Sequence, residues 1–64
     1  MDIVETKVNF YDAIVIEWHS ADGQFGHIYV STNDEGNAVI DSEYMSREFV
    51  KKVLCNLVDT AILK

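Results

Sequence analysis

Two histidines, His19 and His27, are the residues whose type and spacing come closest to indicating chemistry. Each lies in a segment that reads as a strand, and an Asp22-Gly23 turn signal separates the two segments. Paired across that hairpin, the imidazoles would share one face of a sheet with Glu17 and Asp22 nearby, and these side chains are types that bind divalent metals. A working site needs at least three ligands with supporting contacts, and flexible chain would hold the third ligand here. We therefore expect surface histidines and assign no metal and no cofactor.

The single cysteine and the carboxylates also lack a catalytic setting. Cys55 falls within a predicted helix beside Lys51 and Lys52, on the opposite side of the sheet from the histidines, so we expect a semi-buried packing or interface thiol. Acid–base hydrolysis of the glycosidase type needs two carboxyl groups about 5–10 Å apart in a cleft, and so small a chain offers little cleft. Gly23 and Gly26 are not followed by the lysine and helix start of a phosphate-binding loop. We assign no catalytic residue and expect that the protein is not an enzyme.

Length and composition limit the chain to one domain, residues 1–64. A hydrophobic content of 48% in a regular pattern is too high for a disordered tail. The N-terminal residues lack the apolar core of a secretory signal, and the longest run of aliphatic residues, 13–16, is too short to span a membrane. One cysteine allows no disulfide within the chain. These features predict a cytoplasmic protein that does not enter a membrane.

Four segments have the composition and alternation of β-strands, and three turns separate them. The Asp22-Gly23 pair marks one turn, and residues 33–37 fit a hairpin loop in which Gly36 takes the left-handed conformation. Residues 9–12 are a weaker turn without Gly or Pro, and one bent strand over residues 3–19 is the alternative there. The predicted strands cover residues 3–8, 13–19, 25–32 and 38–41.

The alternation also predicts strand register and the two faces of the sheet. The loop over residues 33–37 sets Val30 opposite Ile40. Between the two preceding strands, the apolar sets align when Trp18 lies opposite Ile28, which also sets His19 opposite His27. The predicted inner face carries Ile14, Ile16, Trp18, Ile28, Val30, Ala38 and Ile40. The predicted outer face carries Val15, Glu17, His19, His27, Tyr29, Ser31, Val39 and Asp41.

The last third of the chain predicts an α-helix that covers the inner face. Its apolar residues recur at intervals of one and three, which is the spacing of a single helical stripe. Ser46 is a suitable N-cap, and Glu48 would then lie in the first turn near the positive end of the helix dipole. We predict the helix over residues 46–63. The predicted fold class is α+β, a small antiparallel sheet of three or four strands with one C-terminal helix packed on one face (ββββα or βββα).

Charge is unevenly distributed along the chain. The net charge is −6, and residues 1–45 hold nine acidic residues against Lys7, while residues 46–64 hold four basic residues against two acidic ones. The predicted turns would project Asp12, Asp22, Asp34 and Glu35. A sheet side this acidic repels nucleic acid and anionic membranes and attracts a basic surface.

These observations predict a small acidic protein-binding module. Val15, Tyr29 and Val39 would form an apolar centre on the outer face with a polar rim, which is the anatomy of a binding patch. Spaced carboxylates can imitate phosphates, so the sharper prediction is an inhibitor that masks the basic, nucleic-acid-binding surface of a partner protein. The predicted partner-binding residues are Val15, Glu17, His19, Asp22, His27, Tyr29, Asp34, Glu35 and Val39.

In size and acidity the chain is similar in general profile to small phage-encoded inhibitors and DNA mimics. That likeness is one of composition, and no motif assigns a family. The alternative is a structural or scaffold subunit that forms a homodimer through the outer sheet face or an edge strand.

Overall fold

The computed structural model describes residues 1–64 and contains four strands and one helix. β1 covers Ile3–Phe10, β2 Ile14–Ser20, β3 Phe25–Thr32 and β4 Ala38–Ser42, and α1 covers Arg47–Thr60. The strands form one antiparallel sheet in the order β1-β2-β3-β4. The predicted α+β class is confirmed, in its four-stranded ββββα form. The structure contains no helix with the length and apolarity that crossing a membrane requires.

The β3–β4 hairpin has the predicted loop and register. The Asn33 amide donates to the Asn37 carbonyl at 3.0 Å, and the Gly36 amide donates back to the Asn33 carbonyl at 3.0 Å. Gly36 has a φ of 84°, the left-handed conformation that residues with a side chain rarely adopt. Val30 lies opposite Ile40, as the loop length requires.

The β2–β3 register differs by two residues from the predicted one. Trp18 lies opposite Gly26 rather than Ile28, and His19 lies opposite Phe25 rather than another histidine. The indole of Trp18 lies against Gly26, where a Cβ atom would come within 2.7 Å of its Cζ2 atom. Only a residue without a side chain leaves room for this ring, so Gly26 permits a register that a match of apolar side chains does not suggest.

The loop between β2 and β3 explains the shift, because it repeats the β3–β4 loop. The Ser20 amide donates to the Gln24 carbonyl at 2.8 Å, the Gly23 amide donates to the Ser20 carbonyl at 3.2 Å, and Gly23 has a φ of 88°. The turn is therefore centred one residue earlier than predicted. Because the shift is an even number of residues, every side chain stays on its predicted face.

β1 joins the sheet through a hairpin, so the alternative of one bent strand is excluded. It ends at Phe10, two residues later than predicted, and residues 11–13 rather than 9–12 form the turn. β2 is displaced by one residue at each end. A bulge at Val4, between Ile3 and Glu5, inserts one extra residue, and as a result both Ile3 and Thr6 lie on the inner face.

α1 begins where the sequence predicts. Ser46 is the N-cap, with extended backbone angles and an Oγ atom that accepts the Phe49 amide at 3.4 Å. Glu48 lies in the first turn, where its negative charge interacts favourably with the positive end of the helix dipole.

The end of α1 was predicted wrongly, since the helix stops at Thr60 rather than at residue 63. Asn56 already lies at the edge strand β1, where it accepts a hydrogen bond from Thr6 Oγ1 at 3.0 Å and donates to the Ile3 carbonyl at 3.2 Å. Every residue from 58 to 64 is exposed. The apolar stripe continues through Ile62, but the chain supplies no surface there for it to pack on, and packing provides most of a helix's stability.

The hydrophobic core lies between α1 and the end of the sheet near the β2–β3 turn. It consists of Ile16, Trp18, Ile28, Phe49 and Val53. The rings of Trp18 and Phe49 meet edge to face with centroids 4.9 Å apart. Burying a side chain of this size contributes about 1.5–3 kcal/mol, so this cluster holds the two layers together.

The other end of the inner face is left uncovered, and we call it the open half. Its residues line one shallow depression and include Phe10, Tyr11, Ile14, Val30, Thr32 and Ala38. Ile14, which the sequence places in the core, is exposed. The reason is the position of α1, which crosses the sheet at the opposite end, over Trp18 and Ile3.

Candidate functional site

The outer face of the sheet carries a group of aromatic, histidine and carboxylate side chains that we call the outer patch. Its members are Val15, Glu17, His19, Phe25, His27, Tyr29 and Val39. The β2–β3 ladder positions most of them, since Glu17 lies opposite His27 and Val15 opposite Tyr29. Because α1 packs on the inner face, no second layer of this chain covers the patch.

Glu17 lies between the two histidines at the centre of the patch. Its Oε2 atom is 2.8 Å from Nε2 of His19, and its Oε1 atom is 3.6 Å from Nε2 of His27. A carboxylate only accepts hydrogen bonds, so the His19 nitrogen carries the proton. The sequence predicted that the histidines face each other across the hairpin. This is wrong, because the shifted register sets both beside Glu17.

The surroundings of Glu17 favour its charged form. The hydrogen bond from His19 lowers the pKa of Glu17 below its ordinary value of 4.5, although partial desolvation acts in the opposite direction. The charges of His19, His27 and Lys7 lower the pKa further. Lys7 lies opposite Glu17 on β1 and also contacts Glu5 at 3.5 Å. The centre of the patch is therefore a carboxylate that stays ionised in mildly acidic solution.

Two aromatic rings flank this carboxylate. Phe25 stacks on the His19 ring with centroids 5.9 Å apart and planes 23° from parallel, and it is 65% exposed. Tyr29 lies beside His27 with centroids 6.2 Å apart. Val15 is only 6% exposed, although it lies on the uncovered face, since its neighbours on the adjoining strands enclose it. The patch thus has a packed base and an exposed aromatic surface.

The acidic turn residues lie at two opposite ends of the sheet. Asp34 and Glu35 lie in the β3–β4 loop, at the same end of the sheet as Asp12. Asp22 lies in the β2–β3 loop at the opposite end, so the four predicted turn residues do not form one cluster. The outer face itself carries one basic residue, Lys7, and three acidic residues, Glu5, Glu17 and Asp41.

Asp22 stabilises its own loop rather than the histidines. It accepts hydrogen bonds from the Ser20 hydroxyl and from Gln24 Nε2, the latter at 2.9 Å. The bond from Ser20 is the main reason that the pKa of Asp22 lies below its ordinary value of 3.8. Desolvation opposes this effect, and the bond from Gln24 lowers the pKa further. The hydrogen bonds of Asp22 are therefore to Ser20 and Gln24, and Asp22 forms no metal-holding group with His19 and His27.

No group of three or more His, Cys, Asp or Glu side chains is placed to hold a metal ion. Cys55 is exposed on α1 rather than semi-buried as expected. Because α1 packs on the inner face, Cys55 is on the opposite side of the sheet from both histidines. The geometry of the outer patch is suited to contact through aromatic, imidazole and carboxylate groups.

Sequence reasoning missed Phe25 in the outer patch and Lys7 beside its central carboxylate. Phe25 has the same position in the alternation as His27 and Tyr29, so the period of two carries the signal that places it on the outer face. Lys7 required the pairing of β1 with β2, which the weak turn between them does not reveal.

Comparison with protein-family models, with curated proteins and with solved structures finds no match to this chain.

Proposed function

We propose that the protein is a small, non-enzymatic binding module whose outer patch contacts a basic surface of a partner protein. The observation that carries this proposal is the group of exposed aromatic and aliphatic side chains in the patch. Phe25, Tyr29 and Val39 are all exposed on a sheet face that nothing in the chain covers. Clustered exposed apolar side chains with a polar rim are typical of interaction sites, and aromatic residues often contribute most of the binding energy.

The charge distribution supports a basic partner. Nine of the eleven acidic residues precede residue 46, and seven of those nine lie in the strands or in the turns between them, whereas Arg47, Lys51 and Lys52 belong to the helix. A cationic surface that approaches the sheet is attracted both by Glu17 in the patch and by the turns at each end. The same charge opposes direct binding to nucleic acid or to anionic membranes.

The narrower form of the proposal is that the partner's basic surface is one that binds nucleic acid. Carboxylates that flank an aromatic patch can bind such a surface in place of the phosphates of nucleic acid. The protein would then inhibit its partner by blocking the partner's nucleic-acid site. We also propose a cytoplasmic setting, which suits a chain whose one cysteine is a free thiol.

The test compares alanine variants of the patch with a matched variant outside it. Immobilised wild-type chain is used to capture proteins from a cell lysate, and the captured proteins are eluted with salt and measured against Phe25→Ala, Tyr29→Ala and Met45→Ala. Met45 is 68% exposed, close to the 65% of Phe25, so its truncation is a control for lost surface area. We expect the affinity for a specific partner to fall about tenfold or more in the two patch variants and to be unchanged in the control.

The proposal fails if all three variants retain the same proteins with equal affinity. The narrower form has its own readout, in which duplex DNA is added to the captured complex. Release of the partner supports a shared basic surface, and retention at saturating DNA contradicts it.

A further inference from the structure

β1 is an edge strand with unpaired backbone groups along its second half. Across the β1–β2 turn the Tyr11 amide donates to the Ala13 carbonyl at 3.1 Å, and hydrogen bonds between antiparallel strands recur at every second residue from that point. Thr6, Val8 and Phe10 therefore direct their N–H and C=O groups away from β2, toward the free edge of the sheet.

The other edge positions of the sheet are on a shorter strand or are already hydrogen-bonded within the chain. Asn56 donates to the Ile3 carbonyl at 3.2 Å, and the Ser42 amide donates to the Met45 sulfur at 3.3 Å. β4 has only five residues, which leaves Ala38 and Ile40 with free groups. Short, capped edges discourage pairing with another chain. Along residues 6–10 of β1 the one side chain of a type that protects an edge is Lys7, which lies on the outer face.

We propose that two copies of the chain pair antiparallel along the β1 edge, with Val8 opposite the partner's Val8 at the two-fold axis. Thr6 then pairs with the partner's Phe10, and all six residues exchange backbone hydrogen bonds. A register centred on Lys7 would set two ammonium groups opposite each other, and one centred on Thr6 would require the bulged residue Val4 to pair. The register on Val8 avoids both.

This pairing brings the open half of each copy beside the helix end of the other. Phe10 lies at the open half, and the Thr6 that faces it is the residue hydrogen-bonded to Asn56 near the end of α1. The chain continues past this point into Ile62 and Leu63, which are exposed along with the rest of residues 58–64. Each copy thus presents uncovered apolar surface where the other presents an apolar chain segment with nothing to pack on.

The apolar area available is large enough for a stable dimer. Phe10 and Tyr11 are 76% and 79% exposed. Aromatic side chains bury about 150–250 Å² each, so these two supply roughly 230–390 Å² per copy. A specific interface needs at least about 500 Å² per partner, and Val8, Val58, Ile62 and Leu63 are exposed residues that provide the remainder.

The dimer has a consequence for the outer patch. A two-fold axis perpendicular to the sheet joins two four-stranded sheets into one of eight strands and leaves both helices on one side. Both outer patches then face the other side, free of the dimer contact. This inference does not depend on the proposed binding function, because it uses the opposite face and the edge of the sheet.

The test measures mass and amide exchange on the same protein. Sedimentation equilibrium across a range of concentrations should give twice the chain mass of 7.3 kDa at the upper end. Hydrogen exchange followed by NMR should show that the Thr6, Val8 and Phe10 amides become protected as concentration rises. A mass of one chain at all concentrations overturns the proposal. A dimer in which these three amides exchange freely overturns the geometry.

Matched proline variants identify the edge. Proline at an edge position whose N–H faces solvent leaves the monomer's own hydrogen bonds intact. We therefore expect Val8→Pro to fold and to dimerise with at least tenfold lower affinity. Ala38→Pro makes the same change on the free edge of β4 and should leave the dimer intact. Dissociation by Ala38→Pro alone would assign the contact to β4, and dissociation by Tyr29→Asp alone would assign it to the outer face. Both outcomes contradict pairing through β1.

Discussion

Glu17 shows how three neighbours set the charge state of one side chain. The hydrogen bond from His19 and the charges of His27 and Lys7 lower its pKa because each favours the carboxylate over the neutral acid. The pKa in the folded protein is therefore below the ordinary value of 4.5 that holds in the unfolded chain. Glu17 adds stability that is fully present above about pH 4.5 and is lost as the pH falls through the lower, folded-state value.

We therefore predict that Glu17→Gln lowers the urea midpoint at pH 7 and that the difference from wild type narrows as the pH falls below about 4.5. Urea unfolding at several pH values measures both quantities. Glu5→Gln is the matched control, since Glu5 lies on the same face and contacts only the exposed Lys7, at 3.5 Å. A difference between wild type and Glu17→Gln that does not change over this pH range would contradict the assignment.

Gly26 links a single residue to the register of two strands. The Trp18 ring occupies the space in which a side chain at position 26 would stand, 2.7 Å from the nearest ring atom. We predict that Gly26→Ala destabilises the fold by about 1–3 kcal/mol, because overpacking forces the ring or the backbone to move. The free energy of unfolding in urea measures this change.

A double-mutant cycle separates this clash from a simple change of strand propensity. Trp18→Phe removes the Cζ2 atom, so the cost of Gly26→Ala should be smaller in that background than in the wild type. Gly36→Ala provides a second comparison. No atom lies within 4 Å of the added Cβ there, and its cost comes from the φ of 84° alone. Equal costs of Gly26→Ala in both backgrounds would show that the ring does not set the register.

The elements that the sequence predicted well are those with local signals. The loop over residues 33–37 has its glycine at a fixed position, and it correctly predicts the β3–β4 register. The Ser46 N-cap is also predicted correctly. The β2–β3 loop has its glycine at the same position, yet matching apolar residues took precedence there and gave the wrong register. The two registers place the same side chains on the same faces, so the apolar pattern does not distinguish between them. The geometry of the turn does distinguish them.

The features that the sequence did not predict depend on contacts far apart in the chain. The helix end depends on where α1 passes β1, and the Glu17 site depends on the shifted register and on the pairing of Lys7. Periodicity shows which face a residue occupies but not which part of that face is covered. For that reason Ile14 was expected in the core and is exposed, while Val15 was expected at the surface and is buried.

The whole molecule has two surfaces with different physical character. The outer patch is bordered by carboxylates, whereas the inner side of β1 and the open half are mainly apolar. Because each copy carries a net charge of −6, two copies repel each other over long distances, whereas a basic partner is attracted over the same distances. Added salt screens both effects, with opposite consequences for the two associations.

We predict that raising the salt concentration from about 0.05 M to 0.5 M strengthens self-association and weakens capture of a basic partner. At the higher salt the Debye length falls from about 14 Å to about 4 Å, which removes most of the repulsion between copies while leaving apolar burial intact. Sedimentation equilibrium gives the first quantity and titration with the captured partner gives the second. Measured on Val8→Pro, the salt effect on partner binding should persist although the dimer is lost. If salt weakens both associations alike, the dimer contact is electrostatic, and the β1 edge with its apolar surroundings is not its source.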